Sequence, residues 1–257
     1  MQLTHDNKFL FSIYDRGIII KYDIKEKRNE VFHVFEDKPN LKAIAFSPDD
    51  KYVYIGTQCG RLYQLTADTP EKIIVKWPDM HDGANRYKKQ CSFPWTRLAV
   101  TPTNEHLIYS ILDKDYLKHI KKMPLQTDGP TTELYDKVWT HENGWETMIM
   151  SPDGKSLFLS GWNMLHQVSV ESGKIIKTHD VNRYTKKGRA TVGSFAITPN
   201  EKYLVTALNS YPIRNNQTEP LPYYYGASTE LALWSITDFE FAILYGDLGD
   251  GNVPVIS

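Results

Sequence analysis

Met150-Ser151-Pro152-Asp153-Gly154-Lys155-Ser156-Leu157-Phe158 carries a complete local instruction. An apolar approach meets a turn, a basic residue follows, and a second apolar run departs. Proline in the second turn position presets φ for a type I turn, Asp153 supports the corner by local side-chain bonding, and Gly154 relaxes the exit. Such a turn joins two antiparallel strands. The same grammar recurs at Thr4-His5-Asp6-Asn7-Lys8, Ser47-Pro48-Asp49-Asp50-Lys51, Thr101-Pro102-Thr103-Asn104-Glu105 and Thr198-Pro199-Asn200-Glu201-Lys202, each flanked by short apolar runs. The Ser/Thr positions are 4, 47, 101, 151 and 198, giving spacings of 43, 54, 50 and 47.

Working outward from the fourth copy, strands are expected over 146–150, 156–160, 165–170 and 175–178. The second copy repeats the unit over 41–46, 52–56, 62–66 and 73–77. Four short strands per period, with no helical periodicity between them, predict an all-β fold: a β-propeller of four-stranded antiparallel blades, about five in this chain. Runs such as Phe9-Leu10-Phe11 and Ile18-Ile19-Ile20 are apolar on both faces. This suits a blade sandwiched between neighbours, which cannot bury its surface alone.

The Ser-Pro-Asp-Gly-Lys turn followed by an apolar strand resembles WD40 and related quinoprotein-like or YVTN-type propeller repeats, over nearly the whole chain. Leu231-Ala232-Leu233-Trp234-Ser235-Ile236 is similar to the end of the third strand of a WD40 repeat, with Ser235 where Asp usually stands. The other copies lack the Trp-Asp pair, and no Gly-His dipeptide occurs, so the resemblance is to a divergent member. It implies a protein-binding platform.

The whole of 1–257 reads as one propeller region, with blades near 1–36, 41–78, 95–140, 145–180 and 192–246, and 252–257 as the start of a further or closing blade. The first copy has only the tail of a first strand. Either the last residues pair with it to close a five-bladed ring, or the chain is a segment of a larger, seven-bladed or longer propeller. The resemblance favours the segment, completed by further blades or another subunit. An open arc would present two apolar blade faces as docking or aggregation surfaces.

Composition narrows the partners. Hydrophobic residues make up 41% of the chain, and 30 Lys+Arg stand against 31 Asp+Glu, a net charge of -1. No apolar run nears the ~20 residues of a membrane helix, so no membrane insertion is expected. Near-neutral charge gives no footprint for nucleic acid. Two cysteines, Cys59 and Cys91, and an N-terminus without signal-peptide character point to an intracellular, cytoplasmic setting. The sequon at Asn216 is accordingly expected to carry nothing.

No His or Cys spacing suits a metal, Asp113-Lys114-Asp115 and Asp247–Asp250 lack a calcium-loop pattern, and no nucleophile elbow, phosphate loop or dinucleotide fingerprint occurs. No catalytic residue, metal ligand or cofactor is therefore expected. Trp95, Trp139, Trp145 and Trp162 could line a pocket, though aromatics between blades are more often core. The basic groups at 79–90, Lys118, Lys121 and Lys122, and Lys186, Lys187 and Arg189 read as solvated loops.

The partner-binding candidate is the insertion at 209–226 in the fifth copy, with Tyr211, Arg214, Tyr223, Tyr224 and Tyr225. Its three prolines hold chain extended, and four tyrosines offer amphipathic contact area at small entropic cost. The competing reading packs those tyrosines back onto their own blade. The expected function is a non-catalytic scaffold for protein–protein interactions within a larger assembly. The alternative is a propeller enzyme of lactonase or quinoprotein type, with a metal or ligand in the central channel.

Overall fold

The computed structural model describes residues 1–58, 61–69, 74–77, 95–112, 118–125, 132–139, 145–161, 163–184, 188–198, 200–212 and 228–245. These residues form five four-stranded antiparallel sheets, one for each copy of the turn. Blade 1 holds β1 (Gln2–Leu3), β2 (Phe9–Tyr14), β3 (Ile18–Asp23) and β4 (Arg28–Val34). Blade 2 holds β5 (Leu41–Phe46), β6 (Tyr52–Thr57), β7 (Leu62–Thr66) and β8 (Ile74–Trp77), and blade 3 holds β9 (Trp95–Val100), β10 (His106–Leu112), β11 (Lys118–Pro124) and β12 (Thr132–Trp139). Blade 4 comprises β13 (Trp145–Met150), β14 (Ser156–Gly161), β15 (Met164–Ser169) and β16 (Ile175–Asp180), and a 3-10 turn, Val181–Tyr184, leads out of it. Blade 5 comprises β17 (Gly188–Ile197), β18 (Tyr203–Pro212), β19 (Ser228–Ser235) and β20 (Phe241–Tyr245). Strands pair in chain order within each sheet, the pattern expected of a blade.

In every blade the Ser/Thr hydroxyl of the turn accepts the backbone N–H five residues on, and in blades 1, 2, 4 and 5 a side-chain oxygen two residues on accepts from both that hydroxyl and a further backbone N–H. In blade 4, Ser151 Oγ donates to Asp153 Oδ1 at 2.6 Å and accepts the Ser156 N–H at 2.9 Å, while Asp153 Oδ1 also accepts the Lys155 N–H at 3.0 Å. In blade 2, Ser47, Asp49, Lys51 and Tyr52 reproduce this at 2.7, 3.2 and 2.9 Å. Blade 5 does so with Asn200 in the acid's place, its Oδ1 accepting from Thr198 Oγ1 at 2.6 Å and from the Lys202 N–H at 3.1 Å. The fourth turn residue sits in the left-handed region in each copy: Asn7 (φ 58), Asp50 (54), Asn104 (57), Gly154 (69) and Glu201 (58). Glycine is thus one solution among several. A further bond closes each unit from the third strand's end: Ile24, Ala67, Leu125, Val170 and Ile236 donate N–H to the carbonyls of Lys8, Lys51, Glu105, Lys155 and Lys202.

The chain divides into two compact units, Met1–Glu142 with blades 1 to 3 and Asn143–Ser257 with blades 4 and 5. Within each unit, a blade turns one face forward to the next blade and the other rearward. The forward face of blade 1 (Phe11, Ile19, Phe32, Phe35) packs on the rear face of blade 2 (Phe46, Val53, Ile55, Tyr63, Leu65). Phe11 meets Phe32 and Phe46 edge to face at 5.0 and 4.9 Å, contacts worth about 0.5–1.5 kcal/mol each beyond area burial. The forward face of blade 2 (Ala45, Tyr54, Leu62) packs on the rear of blade 3 (Leu107, Tyr109, Met123). In the second unit, Phe158 and Leu165 of blade 4 meet Val192, Leu204, Leu208 and Trp234 of blade 5. The turns also link blades at the surface: Asp50 accepts the N–H groups of His5 and Asp6 at 3.0 and 3.1 Å.

Two predictions follow from the turn. Ser151→Ala strands the Ser156 N–H in a buried site and should cost about 1–3 kcal/mol, read as a lower melting temperature, whereas Ser151→Thr, which copies blades 1, 3 and 5, should be near neutral. The second prediction concerns pH. The Lys8 ammonium and N–H and the Thr4 hydroxyl hold Asp6 down to about 2, and the Ser47 hydroxyl, with help from Lys51, holds Asp49 down to about 2. Folded-state values below the unfolded ~3.9 mean stability that is present above about pH 4 and lost as pH falls toward 2. Melting temperature should drop across that window. It should drop less in Asp49→Asn, whose amide can accept the same bonds, as Asn200 does.

Candidate functional site

The structure builds most at blade 5. Its first three strands run past the blade proper, with Gly188 opposite Pro212, Arg189 opposite Tyr211 and Ser210 opposite Ser228. This three-stranded stem carries residues 213–227 and explains why β17 starts ahead of the expected 192. A bulge between Val192 and Ser194 bends it. At Gly193, beside this bulge, a Cβ would lie 3.0 Å from the Asn209 amide nitrogen, so a larger residue there would need that side chain to shift.

The stem is braced on blade 4 by a polar relay. The Ala190 N–H donates to Asn182 Oδ1 at 2.7 Å, and Asp180 Oδ1 accepts both the Asn182 N–H at 3.1 Å and Asn163 Nδ2 at 2.9 Å. Beneath it lies an aromatic cluster. Tyr184 stacks on Phe241 at 4.5 Å and stands edge-on to Trp234 at 5.1 Å. Trp234, fully buried, donates its Nε1–H to Thr206 Oγ1 at 3.0 Å. Buried His179 lies 2.7 Å from the Phe239 carbonyl through Nε2 and 3.0 Å from the Tyr184 hydroxyl through Nδ1. A carbonyl can only accept, so Nε2 carries a proton, and in the neutral ring Nδ1 accepts from Tyr184. Glu230, 2% exposed, lies opposite Leu208 in the same stem.

Phe239 holds this cluster together at a conformational cost. It is fully buried, packs on Phe158 and His179 at 5.1 and 5.0 Å, and has φ 52. A left-handed backbone is costly for a bulky residue. Gly173 ends the corresponding turn of blade 4 with φ 67, so blade 5 departs from the economical solution in order to seat an aromatic ring between blades.

A second polar group lies at the junction of blades 1 and 2. Asp37 Oδ2 accepts from Arg61 Nη1 at 2.7 Å and from the Tyr63 hydroxyl at 3.3 Å, and Asn40 Nδ2 donates to Gln58 Oε1 at 2.5 Å. Nearby His33 is pushed toward its neutral form by burial. The forward face of blade 1 also bears a small pocket lined by Phe9, Lys21, Asp23, Arg28 and Glu30, with Lys21 Nζ 4.0 Å from the Phe9 ring centre. Cations and anions alternate there, so it favours no ligand of single charge.

Of the residues singled out from the sequence, Tyr211 lies in β18, and its side chain is outside the described residues, as are Arg214, Tyr223, Tyr224 and Tyr225. The side chains of Trp95, Trp139, Trp145 and Trp162, both cysteines, Asn216 and the loops at 79–90, 113–117 and 246–250 also fall outside. Sequence reading missed Asp180, Asn182, His179, Tyr184 and Glu230. The local sequence offers only the nearby aromatics Trp234, Phe239 and Phe241 as a signal that could have pointed to them. Among the described residues, no three His, Cys, Asp or Glu side chains come together as a metal site, and no helix is long and apolar enough to cross a membrane.

No family model matches the sequence, and no curated protein matches it. Solved structures do. The chain is similar to the β-propeller domain of Myceliophteria thermophila Cps50 (Swd1), with TM-score 0.56 at 9% identity over 95% of this chain and 84% of that one. It is also similar to Kuenenia stuttgartiensis hydrazine synthase, with TM-score 0.59 at 12% identity over 91% of this chain and 61% of that one, so it spans less than two thirds of the latter's length. At such identities the likeness concerns fold, and the fold is a β-propeller.

The strained aromatic offers a direct test. Phe239→Ala should destabilise by about 3–5 kcal/mol through lost packing. Phe239→Gly, although smaller, should unfold at a higher temperature than Phe239→Ala, because glycine releases a left-handed penalty of about 1–2 kcal/mol. Parallel thermal melts of both variants check the order.

Proposed function

We propose that this chain is a non-catalytic propeller scaffold that mediates protein–protein interactions within a larger intracellular, cytoplasmic assembly. The observation that carries this reading is the braced stem of blade 5. Three strands extended beyond the blade and tied to blade 4 through Asn182 and Asp180 make a rigid mount for a Pro- and Tyr-rich insertion. Rigid presentation limits the ordering entropy lost on binding, and Tyr-rich segments supply contact area at small rotamer cost. In this reading Tyr211, Arg214, Tyr223, Tyr224 and Tyr225 contact the partner. The WD40-like resemblance and the likeness to the Cps50 (Swd1) propeller support the scaffold class.

The rival, a lactonase- or quinoprotein-type enzyme, draws on fold alone. The likeness to hydrazine synthase contributes no residue to it. Affinity capture from cell extract separates the possibilities, comparing the intact chain with one in which 213–227 is replaced by a short Gly-Ser linker. Loss of most specific partners with an unchanged melting temperature is the expected result. Recovery of the same partners would remove the insertion as docking site. A stoichiometric, tightly held divalent ion in the purified protein would favour the enzyme.

A further inference from the structure

The joint between blades 1 and 2 holds a titratable ring for which it supplies no hydrogen-bond partner. His33 lies in β4 opposite Ile19, which is fully buried in that joint, so the two side chains share the forward face of blade 1. One extra residue in β4, between the pairs Ile20–Val31 and Ile19–His33, lets Phe32 enter the same joint. The His33 ring stands in a T-shaped contact with Phe35 at 4.6 Å, and buried Phe35 lies 4.5 Å from Tyr63 of blade 2. The Tyr63 hydroxyl in turn donates to Asp37, which also accepts from Arg61. A continuous stack thus links the outer strand of blade 1 to the connection at 35–40 that leads into blade 2.

The two nitrogens of the ring differ. Nε2 is buried with no hydrogen-bond partner, whereas Nδ1, which makes no bond either, is open to water. The neutral ring therefore fits with its proton on Nδ1 and only a lone pair inside the joint. A second proton would make Nε2 a charged donor with no acceptor, and an apolar joint does not offset that cost. The charged and titratable groups of the surrounding segments are Asp15 and Arg16 in the turn before β3, Lys21 and Glu30 on the sheet, Glu36, Asp37 and Lys38 in the connection, and Arg61 and Tyr63 of blade 2. None of them bonds the ring, and Asp37 is already engaged by Arg61 and Tyr63. Burial alone lowers the pKa of His33 from its ordinary 6.5.

The connection beside the ring is held by few bonds. The Phe35 N–H donates to the Gly17 carbonyl at 3.0 Å and the Lys38 N–H to the Phe35 carbonyl at 3.1 Å. Gly17 has φ 73, and a Cβ there would lie 2.8 Å from Pro39 Cδ, so the connection packs directly on this turn. We propose that His33 is a pH-sensitive latch on the joint between blades 1 and 2. Neutral, the ring closes the rim of the joint against Phe35; protonated, it turns out into water and frees the connection from Gly17. The open state takes up its proton from about pH 6.5 downward and the closed state only at lower pH, so closure is complete above about pH 6.5 and weakens as pH falls below it. The device lies wholly within the unit Met1–Glu142 and is independent of the scaffold reading.

The test is hydrogen exchange at the Phe35 amide of the full chain between pH 7.5 and 5, corrected for the intrinsic pH dependence of exchange, together with an NMR titration of the His33 ring. In the wild type the protection of Phe35 should fall by up to about tenfold per pH unit below pH 6.5, as linkage to one proton requires, and level off once the closed state is itself protonated. The Val170 N–H of blade 4, bonded to the Lys155 carbonyl, should keep its protection over the same range. His33→Phe, which keeps a ring without a titrating nitrogen, and His33→Gln, which is polar but does not titrate, should both make the protection of Phe35 independent of pH. A wild-type His33 that titrates at or above 6.5 in the folded protein overturns the proposal, whether or not either variant folds. Protection of Phe35 that does not change with pH in the wild type overturns it too, as does a pH dependence that survives in both variants.

Discussion

Each blade here is a four-stranded sheet with two apolar faces, and a sheet of that size cannot bury both by itself. Face-to-face packing of consecutive blades is therefore the constraint from which the rest follows. Phe11 of blade 1 inserts between its own Phe32 and Phe46 of blade 2, and Phe158 of blade 4 meets Phe239 of blade 5. The inner strands read as continuous apolar runs for this reason, since alternate residues serve different neighbours.

Packing at this density needs sheets of uniform shape, and the turn hydroxyl supplies uniformity. Ser or Thr accepts an N–H five residues on and donates to a side-chain oxygen two residues on, so the first two strands of every blade leave the turn in the same register. In blade 3 the oxygen belongs to Thr103, 3.4 Å away, and the Thr101 hydroxyl still accepts from His106 at 3.0 Å. The side-chain partner can vary while the backbone bond persists, so the hydroxyl is the element the turn depends on.

Blade 5 departs most from uniformity. Its strands lengthen into a stem, its first strand bulges at Gly193, and its last turn places a phenylalanine where blade 4 has glycine. These departures converge on one region: Phe239 seats the blade on His179, Tyr184 ties the cluster to the 3-10 turn, and Asn182 holds the stem upright. On the scaffold reading proposed above, these costs fall where the stem leads into the insertion.

The fold was legible in the sequence to within a residue or two at most strand ends, because its signals are local. The turn bonds span two to five residues, and an apolar run between two turns has few alternatives to a strand. The turn from Ser151 to Ser156 announces itself in six letters. The bracing beneath the insertion was not legible: His179 and Phe239 are 60 residues apart, and nothing in either neighbourhood names the other. The left-handed Phe239, the burial of Glu230 and the assignment of each strand face to a forward or rear neighbour likewise depend on which sheet packs against which. Local hydrogen bonding determined the blades from sequence; only burial between sheets decided what they hold in place.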